Sequence, residues 1–220
     1  MVKRDIGFLF DMDGVVCRNI PAHVESWRIF FGRHGIEFEM GDFLANTMGM
    51  PTREVLRYYF KRKIPAAEAA AHAAIKEGYY RKIYLPKRRA ACGLRRFLKA
   101  AHGTGVRLGL GTGSKDDNVT FILDGLNLRA SFDAVVDGGM VAKGKPDPET
   151  FLTLADKLKV RAKDCVVFED SLLGEEAARR AGMAVVAITT SHRADEFRHA
   201  RLKARDFSNI RPAQAAALLC

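Results

Sequence analysis

The stretch FLFDMDGVV, residues 8–16, decides the fold because it joins a strand-like apolar run to a pair of acids. The run begins at Ile6 and has the length and aromatic content of a buried strand. Asp11 and Asp13 follow at once, ahead of Gly14. In an open parallel sheet, ligands bind beyond the carboxyl ends of the strands. The stretch therefore predicts a functional site at the end of the first strand.

Short apolar runs recur along the chain and alternate with segments of helical spacing. The further strands are predicted at residues 106–111, 132–136, 164–168 and 184–188, and the helices at 94–101, 117–126, 148–158 and 172–181. Such alternation indicates crossover connections and a parallel sheet with helices on both faces. The predicted fold class is α/β, a Rossmann-like parallel sheet flanked by helices.

The segment from residue 18 to residue 88 departs from this alternation. It contains no convincing strand, and consecutive helices are predicted at residues 22–33, 41–47, 52–60 and 65–83. An insertion of about 70 residues is too long for a loop. We therefore predict two domains, which are an α/β core of residues 1–17 and 89–220 and an inserted all-α domain of residues 18–88.

The composition is that of a globular protein with an excess of basic residues. Hydrophobic residues make up 48%, charged residues 28%, and the net charge is +10. Residues 78–115 contain ten Lys or Arg residues and no acid. Such a stretch could bind nucleic acid or form a solvated face that steers a phosphorylated substrate. Without interleaved aromatic platforms or a nucleic-acid motif the second interpretation is favoured, and we do not expect a nucleic-acid partner.

The spacing of the cysteines and the lengths of the apolar runs indicate in which cellular compartment the protein is expected. The four cysteines are far apart and form no C-x-x-C pair, so neither a zinc knuckle nor a disulfide framework is expected. The early acids leave no room for the apolar part of a signal peptide, and no run approaches the ~18 apolar residues of a membrane span. We expect a cytoplasmic protein with reduced thiols and no membrane partner, as a monomer or weak dimer.

Polar residues follow four predicted strands at the edge where parallel strands end together. In chain order they are Asp11 and Asp13, Thr112, Ser114 and Lys115, Lys145, and Glu169 and Asp170. Converging carboxylates repel one another, so a hard cation such as Mg²⁺ would neutralise them and bring in a phosphate oxygen. With the phosphate charge shared among cation, lysine and amide groups, Asp11 could attack phosphorus and form an aspartyl phosphate.

Four strings stand in order along the chain, namely FLFDMDGVV (8–16), LGTGSK (110–115), GKPDPETF (144–151) and VFEDSLLG (167–174). In that order they resemble the four motifs of the haloacid dehalogenase (HAD) superfamily, specifically its phosphatase and β-phosphoglucomutase branch. Each string alone is weak evidence, but four in order with the right strand contexts are strong. The resemblance covers nearly the whole chain and implies that the helical insertion is an α-helical cap that closes over the site.

The resemblance also implies roles for the matched residues. Asp11 is the nucleophile, and Asp13 is the general acid and base that protonates the leaving oxygen and later takes a proton from water. Thr112 holds the transferring phosphoryl group. Lys145 pairs with both the nucleophile and the phosphate.

The implied cofactor is Mg²⁺. Its ligands would be Asp11, the backbone carbonyl of Asp13, and Asp170, with Glu169 beside it in a supporting role. For Ser171 two interpretations are equally open, which are a contact to the site and the N-cap of the next helix.

The resemblance also implies that five residues are candidate substrate ligands. They are Arg53, which ends the string GMPTR, Lys76 and His23 in the helical insertion, and Ser114 and Lys115 in the core. In the resembling branch the arginine matched by Arg53 binds the far end of the substrate. The residues that a distal phosphate site would use are Arg53, Lys76, Ser114 and Lys115.

The distal phosphate site also separates a phosphatase from a mutase. Asp116 stands where the mutase has a phosphate-binding asparagine, and Cys17, Arg18 and Asn19 replace its threonine-aspartate-threonine. A carboxylate repels a distal phosphate, so we predict hydrolysis of a small phosphate ester, sugar phosphates first. A sugar-phosphate mutase is the alternative, and inorganic diphosphate is a further candidate substrate. The alternative of another class is a nucleic-acid or partner-binding protein with an inactive HAD core.

Overall fold

The structure of the protein is a computed structural model that describes residues 5–47 and 50–219. Gly49, the first residue of the string GMPTR, lies outside the described residues. The chain divides into two compact units. One unit is Asn19–Arg88, and the other consists of the residues before and after it.

The unit Asn19–Arg88 is built from helices. They are α1 (Ile20–Arg33), α2 (Met40–Asn46), α3 (Thr52–Phe60) and α4 (Ala66–Tyr84). Their apolar faces share a core that includes Trp27, Phe31, Leu56 and Tyr59. Trp27 stacks on Phe31 with ring centroids 5.1 Å apart. The four helices correspond to the four that the sequence predicts, and no described residue of this unit lies in a strand.

The larger unit is built on a six-stranded sheet in which every neighbouring pair of strands is parallel. The strands are β1 (Gly7–Phe10), β2 (Arg107–Gly111), β3 (Ala134–Val136), β4 (Cys165–Glu169), β5 (Ala184–Ile188) and β6 (Leu202–Ala204). Their order across the sheet is β3-β2-β1-β4-β5-β6. This order confirms the predicted Rossmann-like α/β class, and its direction reverses between β1 and β4, where such sheets bind ligands.

Helices accompany the strands of this unit. Within the described ranges they are α5 (Leu94–His102), α6 (Asp116–Leu123), α7 (Glu149–Leu158), α8 (Leu172–Arg180) and α9 (Pro212–Ala216). Helix α7 begins one residue later than predicted, because Pro148 is the flanking residue and Asp147 Oδ1 accepts the N–H of Glu149 at 3.1 Å. No helix in residues 5–47 and 50–219 is long and apolar enough to cross a membrane.

Alternate residues of β1 are buried on opposite faces of the sheet. Phe8 and Phe10 join an aromatic cluster with Phe97 and Phe168, in which Phe10 stacks on Phe168 at 4.5 Å. Leu9 belongs to the second core, formed with residues of α7 and α8. Burial on both faces explains why β1 is apolar throughout rather than alternating. The acids at the ends of β1 and β4 therefore follow two strands whose residues are all buried.

Two elements at the far end of the chain are not predicted from the sequence. Strand β6 has only three residues and pairs with β5 at the edge of the sheet. Its sequence, with an exposed lysine at its centre, lacks the apolar run from which a strand is predicted. Helix α9 has five residues, of which four are Ala or Pro, and its short pattern shows no helical periodicity.

Candidate active site

The candidate site begins at the carboxyl ends of β1 and β4. Asp11 follows β1 directly, and its backbone N–H donates to Phe168 O on β4 at 3.0 Å. Glu169 is the last residue of β4, and Asp170 comes next. The pairing of these two strands therefore brings three carboxylates to one edge of the sheet.

Asp11, Glu169 and Asp170 form a group of buried acids. One carboxylate oxygen from each lies within 4.8 Å of the others. The three residues are 6%, 1% and 3% exposed, respectively. An all-oxygen ligand set fits a hard cation such as Mg²⁺ and does not fit softer metals that prefer thiolate or imidazole. The residues present therefore suit the predicted cofactor.

Lys145 supplies positive charge to this group. Its Nζ lies 2.5 Å from Asp11 Oδ1 and 2.5 Å from Glu169 Oε1. The ammonium also lies 4.8 Å from the centroid of the Phe151 ring, which shields it from water. Burial opposes the charged form of Lys145, but the two carboxylates outweigh it and hold the pKa of the lysine above its ordinary value. One ammonium faces three carboxylates, so the group has an excess of negative charge.

The excess of negative charge contributes to raised pKa values of the acids. Burial, reinforced by the charge of Glu169, raises the pKa of Asp170 to about 8. Burial also raises the pKa of Asp11 well above its ordinary value, although Lys145 acts in the opposite direction. Both effects arise because carboxylates are crowded together away from water. A divalent cation bound among them would favour their charged forms.

Two hydroxyl residues after β5 orient Asp170. Ser191 Oγ donates a hydrogen bond to Asp170 Oδ2. Thr190 Oγ1 lies 3.1 Å from the same oxygen and 2.7 Å from Gly14 O. Neither residue is among the site residues predicted from the sequence. The signal was present, because they follow a predicted strand at the same edge of the sheet as the acids.

Glycine is required after the two acids because of how closely Asp170 approaches. A Cβ atom built on Gly14 would lie 1.8 Å from Asp170 Oδ2, and the φ of Gly14 is 86°. Gly174 is required for the same reason beside Glu169, because a Cβ atom built on it would lie 1.8 Å from Glu169 Oε1. Both glycines make room for carboxylates.

Glu169 is held at the start of α8. Its Oε2 accepts the N–H groups of Asp170 and Ser171 at 2.8 and 2.9 Å and the Ser171 hydroxyl at 2.9 Å. Ser171 Oγ also accepts the N–H of Gly174 at 3.0 Å, so it caps α8. The two interpretations of Ser171 left open by the sequence are thus both realised.

The carboxylate of Asp13 does not belong to the group of Asp11, Glu169 and Asp170, and it is hydrogen-bonded to a serine. Ser114 Oγ donates to Asp13 Oδ2 at 2.7 Å. Thr112 is buried, and its Oγ1 accepts the N–H of Ser114 at 3.1 Å. Lys115 is exposed at the position just before α6. The turn after β2 therefore places a hydroxyl beside the second acid of the opening motif.

The candidate substrate ligands of the helical unit lie on three of its helices. Lys76 on α4 is buried, and its Nζ lies 2.9 Å from His23 Nδ1 and 2.9 Å from Glu77 Oε1. Arg53 on α3 donates from Nε to Ile64 O at 2.8 Å. These contacts hold the side chains in place, and the role of the three residues in substrate binding stays a prediction.

Part of the basic stretch has a structural use. Arg95 donates to Leu126 O, and Arg96 donates to Ser208 O at 2.5 Å. Both guanidinium groups tie α5 to loops that are distant in the sequence. Their charge is therefore partly explained by packing of the larger unit.

The fold and the acid–lysine arrangement agree with one family of hydrolases. The family model described as haloacid dehalogenase-like hydrolase matches residues 7–182, which contain all four motif strings. The chain therefore belongs to the haloacid dehalogenase-like hydrolases, which confirms the resemblance stated above. Its curated relatives include named phosphatases, which supports an enzyme of the phosphatase or phosphotransferase type within that family.

Two curated relatives and one solved structure illustrate the similarity. The fructose-1-phosphate phosphatase of Escherichia coli is 34% identical over 188 residues, which cover 86% of this chain and 98% of that protein. The β-phosphoglucomutase of Bacillus subtilis is 30% identical over 187 residues, which cover 82% and 81%. A HAD hydrolase from Entamoeba histolytica superposes with a TM-score of 0.90 at 24% identity, covering 97% of this chain and 99% of that one.

Proposed function

We propose that the protein hydrolyses a small phosphate ester, a sugar phosphate first, with Mg²⁺ and through an aspartyl-phosphate intermediate. The observation that carries the proposal is the Lys145 ammonium 2.5 Å from both Asp11 and Glu169 within a buried group of three acids. The similarity to a fructose-1-phosphate phosphatase supports a sugar phosphate as the substrate class.

Asp11 is the nucleophile in this proposal. Lys145 holds its carboxylate and compensates its charge as a phosphate group approaches. Thr112 Oγ1 accepts the N–H of Ser114, so the Thr112 hydroxyl proton is available to a phosphoryl oxygen. Asp11 and Asp170, with the backbone carbonyl of Asp13 and with Glu169 in support, would hold Mg²⁺, which when bound neutralises phosphate charge.

The reaction has two steps. A bond forms between an Asp11 carboxylate oxygen and phosphorus while the bond from phosphorus to the ester oxygen breaks, and Asp13 gives that oxygen a proton. Asp13, now a carboxylate, takes a proton from a water molecule that attacks the phosphorus of the aspartyl phosphate. Inorganic phosphate leaves, and Asp11 returns to its starting form.

We further propose that the helical unit is a cap domain, corresponding to residues 18–88, inserted in a core of residues 1–17 and 89–220. In this proposal Arg53, Lys76 and His23 bind the far part of the substrate. Replacing Lys76 by methionine should then raise KM for sugar phosphates and leave KM for p-nitrophenyl phosphate unchanged. The matched control is Lys82→Met, at an exposed position of the same helix. Equal effects of Lys76→Met on both substrates would contradict the assignment.

Phosphate release from a panel of sugar phosphates, with and without Mg²⁺, tests the main proposal. Wild type should release phosphate only with the metal. Asp11→Asn should abolish release, and Asp156→Asn at an exposed position of α7 should not. Equal rates for wild type and Asp11→Asn would reject the nucleophile. No release from any ester would favour an inactive core, and conversion of β-glucose 1-phosphate to glucose 6-phosphate without free phosphate would favour the mutase.

The covalent intermediate needs its own measurement. Acid quenching during turnover should leave a phosphoryl group on the peptide that contains Asp11, and hydroxylamine should remove it as it does from acyl phosphates. Absence of this adduct in a rapid-quench series, with hydrolysis intact, would point to direct attack by water.

A further inference from the structure

Ser114 contacts an acid of the site rather than standing apart as a ligand for a distal phosphate. Its Oγ donates to Asp13 Oδ2 at 2.7 Å. We propose that Ser114 is a positioning residue that holds the Asp13 carboxyl group in the orientation from which it protonates the leaving oxygen. This inference rests on the proposed function, in which Asp13 is the general acid.

The backbone of Ser114 is held on both sides. Its N–H donates to Thr112 Oγ1 at 3.1 Å, and its carbonyl oxygen accepts the N–H of Gly138 at 2.9 Å. A Cβ atom on Gly138 would lie 2.2 Å from Gly113 O, so the loop after β3 packs directly against the turn after β2. The hydroxyl group is therefore presented by two loops that fix each other, as a supporting contact to a catalytic group requires.

The backbone of Asp13 is held as well. Asp13 forms a bridge with Cys17, and the N–H of Gly14 donates to Cys17 O at 2.8 Å. The hydrogen bond from Ser114 to Oδ2 opposes rotation of the Asp13 side chain about χ1 and χ2. With Oδ2 accepting the serine proton, the proton for the leaving group is assigned to Oδ1.

The contact also bears on the other role considered for Ser114. A serine hydroxyl has one proton, so the proton given to Asp13 cannot be donated to a distal phosphate at the same time. A positioning role and a role as donor to the substrate therefore predict different kinetics.

The two roles predict different kinetics because only the positioning role affects proton transfer to the leaving oxygen. When the bond from phosphorus to the ester oxygen breaks, its electron pair stays on that oxygen, which takes the proton of Asp13. A weakly basic leaving group such as 4-nitrophenolate needs this proton little, and a more basic phenolate needs it more. Loss of the acid in its working orientation should therefore make the rate fall more steeply as the leaving group becomes more basic.

The experiment measures kcat/KM with Mg²⁺ for a series of substituted phenyl phosphates, because kcat/KM reports the step in which the leaving group departs. Asp13→Asn should steepen the dependence on leaving-group basicity. Ser114→Ala should steepen it in the same sense, with a loss of about tenfold or more for the most basic leaving group. Ser114→Thr, which keeps the hydroxyl, should restore the wild-type slope. Ser131→Ala, at the opposite end of the sheet just before β3, is the matched control.

A double variant completes the test. If Ser114 acts through Asp13, Ser114→Ala should cause no further loss in an Asp13→Asn background. Additive losses, or a uniform decrease across the series with an unchanged slope, would overturn the inference and indicate direct substrate contact or a packing role. If the dependence on leaving-group basicity steepens in Asp13→Asn but not in Ser114→Ala, the role of Ser114 is rejected and the role of Asp13 is kept. An unchanged slope in Asp13→Asn overturns it together with the assigned role of Asp13.

Discussion

The crowded acids make a prediction about stability that needs no substrate. Without a metal, burial and the charge of Glu169 raise the pKa of Asp170 from its ordinary value of 3.8 to about 8. The folded protein therefore keeps a proton on Asp170 between these values, where the unfolded chain has released it. Stability of the metal-free protein should then fall as the pH rises from 5 to 8. Asp170→Asn removes the titrating group and should be more stable than wild type at pH 8.

The size of the effect follows from the pKa. One pKa unit corresponds to about 1.4 kcal/mol, so the rise from 3.8 to about 8 sets an upper limit of about 6 kcal/mol at high pH. The amide accepts the hydrogen bonds of Ser191 and Thr190 less well than a carboxylate, at a cost of about 1–2 kcal/mol. We therefore expect Asp170→Asn to stabilise the metal-free protein by at most about 4 kcal/mol at pH 8. At pH 5 the linkage amounts to only about 1–2 kcal/mol, which the weaker hydrogen bonds offset, so the stability should change little.

Urea unfolding in EDTA at pH 5 and pH 8 measures this difference, and repetition with Mg²⁺ tests the metal. Mg²⁺ should stabilise wild type at pH 8 because it binds only the folded state, and it should not stabilise Asp170→Asn. Asp156→Asn, at an exposed site, should behave as wild type in both buffers. The reasoning is refuted if Asp170→Asn is less stable than wild type at pH 8 without metal. It is also refuted if both proteins respond equally to Mg²⁺.

Three further changes test other contacts. Gly14→Ala should abolish Mg²⁺-dependent phosphate release and lower the melting temperature, because its Cβ would lie 1.8 Å from Asp170 Oδ2; normal activity would contradict the close approach. Glu175→Gln should cost about 2 kcal/mol in urea unfolding, since this buried carboxylate accepts three backbone N–H groups of residues 198–200. Gly78→Ala in α4, where a Cβ meets nothing within 4 Å, should add about 0.5–1 kcal/mol, and a loss would show that the helix interior has no room.

The convergence of Asp11, Lys145 and Asp170 could be predicted from the sequence for a geometric reason. Parallel strands end at one edge, so residues that follow successive strands meet there whatever their separation along the chain. The cluster needs only the adjacency of β1 and β4 in addition. That adjacency is a feature of the observed sheet order, which the local sequence pattern does not contain.

What escaped prediction depends on long-range contacts. The partner of Asp13 is a serine about a hundred residues away, and only the docking of two loops makes them neighbours. Thr190 and Ser191 follow a predicted strand at the catalytic edge, but their contact with Asp170 depends on β5 lying beside β4. Arg96 is exposed, and the sequence does not reveal that its guanidinium also donates to Ser208 O. A local pattern carries no information about which of several distant loops a side chain reaches.

Ser171 links the acids to the helix that follows them. Its hydroxyl group receives the N–H of Gly174 at the first turn of α8 and donates to the Glu169 carboxylate. An ion that moves the Glu169 carboxylate would therefore also disturb the cap of α8. Backbone amide exchange at Asp170, Ser171 and Gly174, whose N–H groups are accepted by these two side chains, should then report ion binding without any turnover.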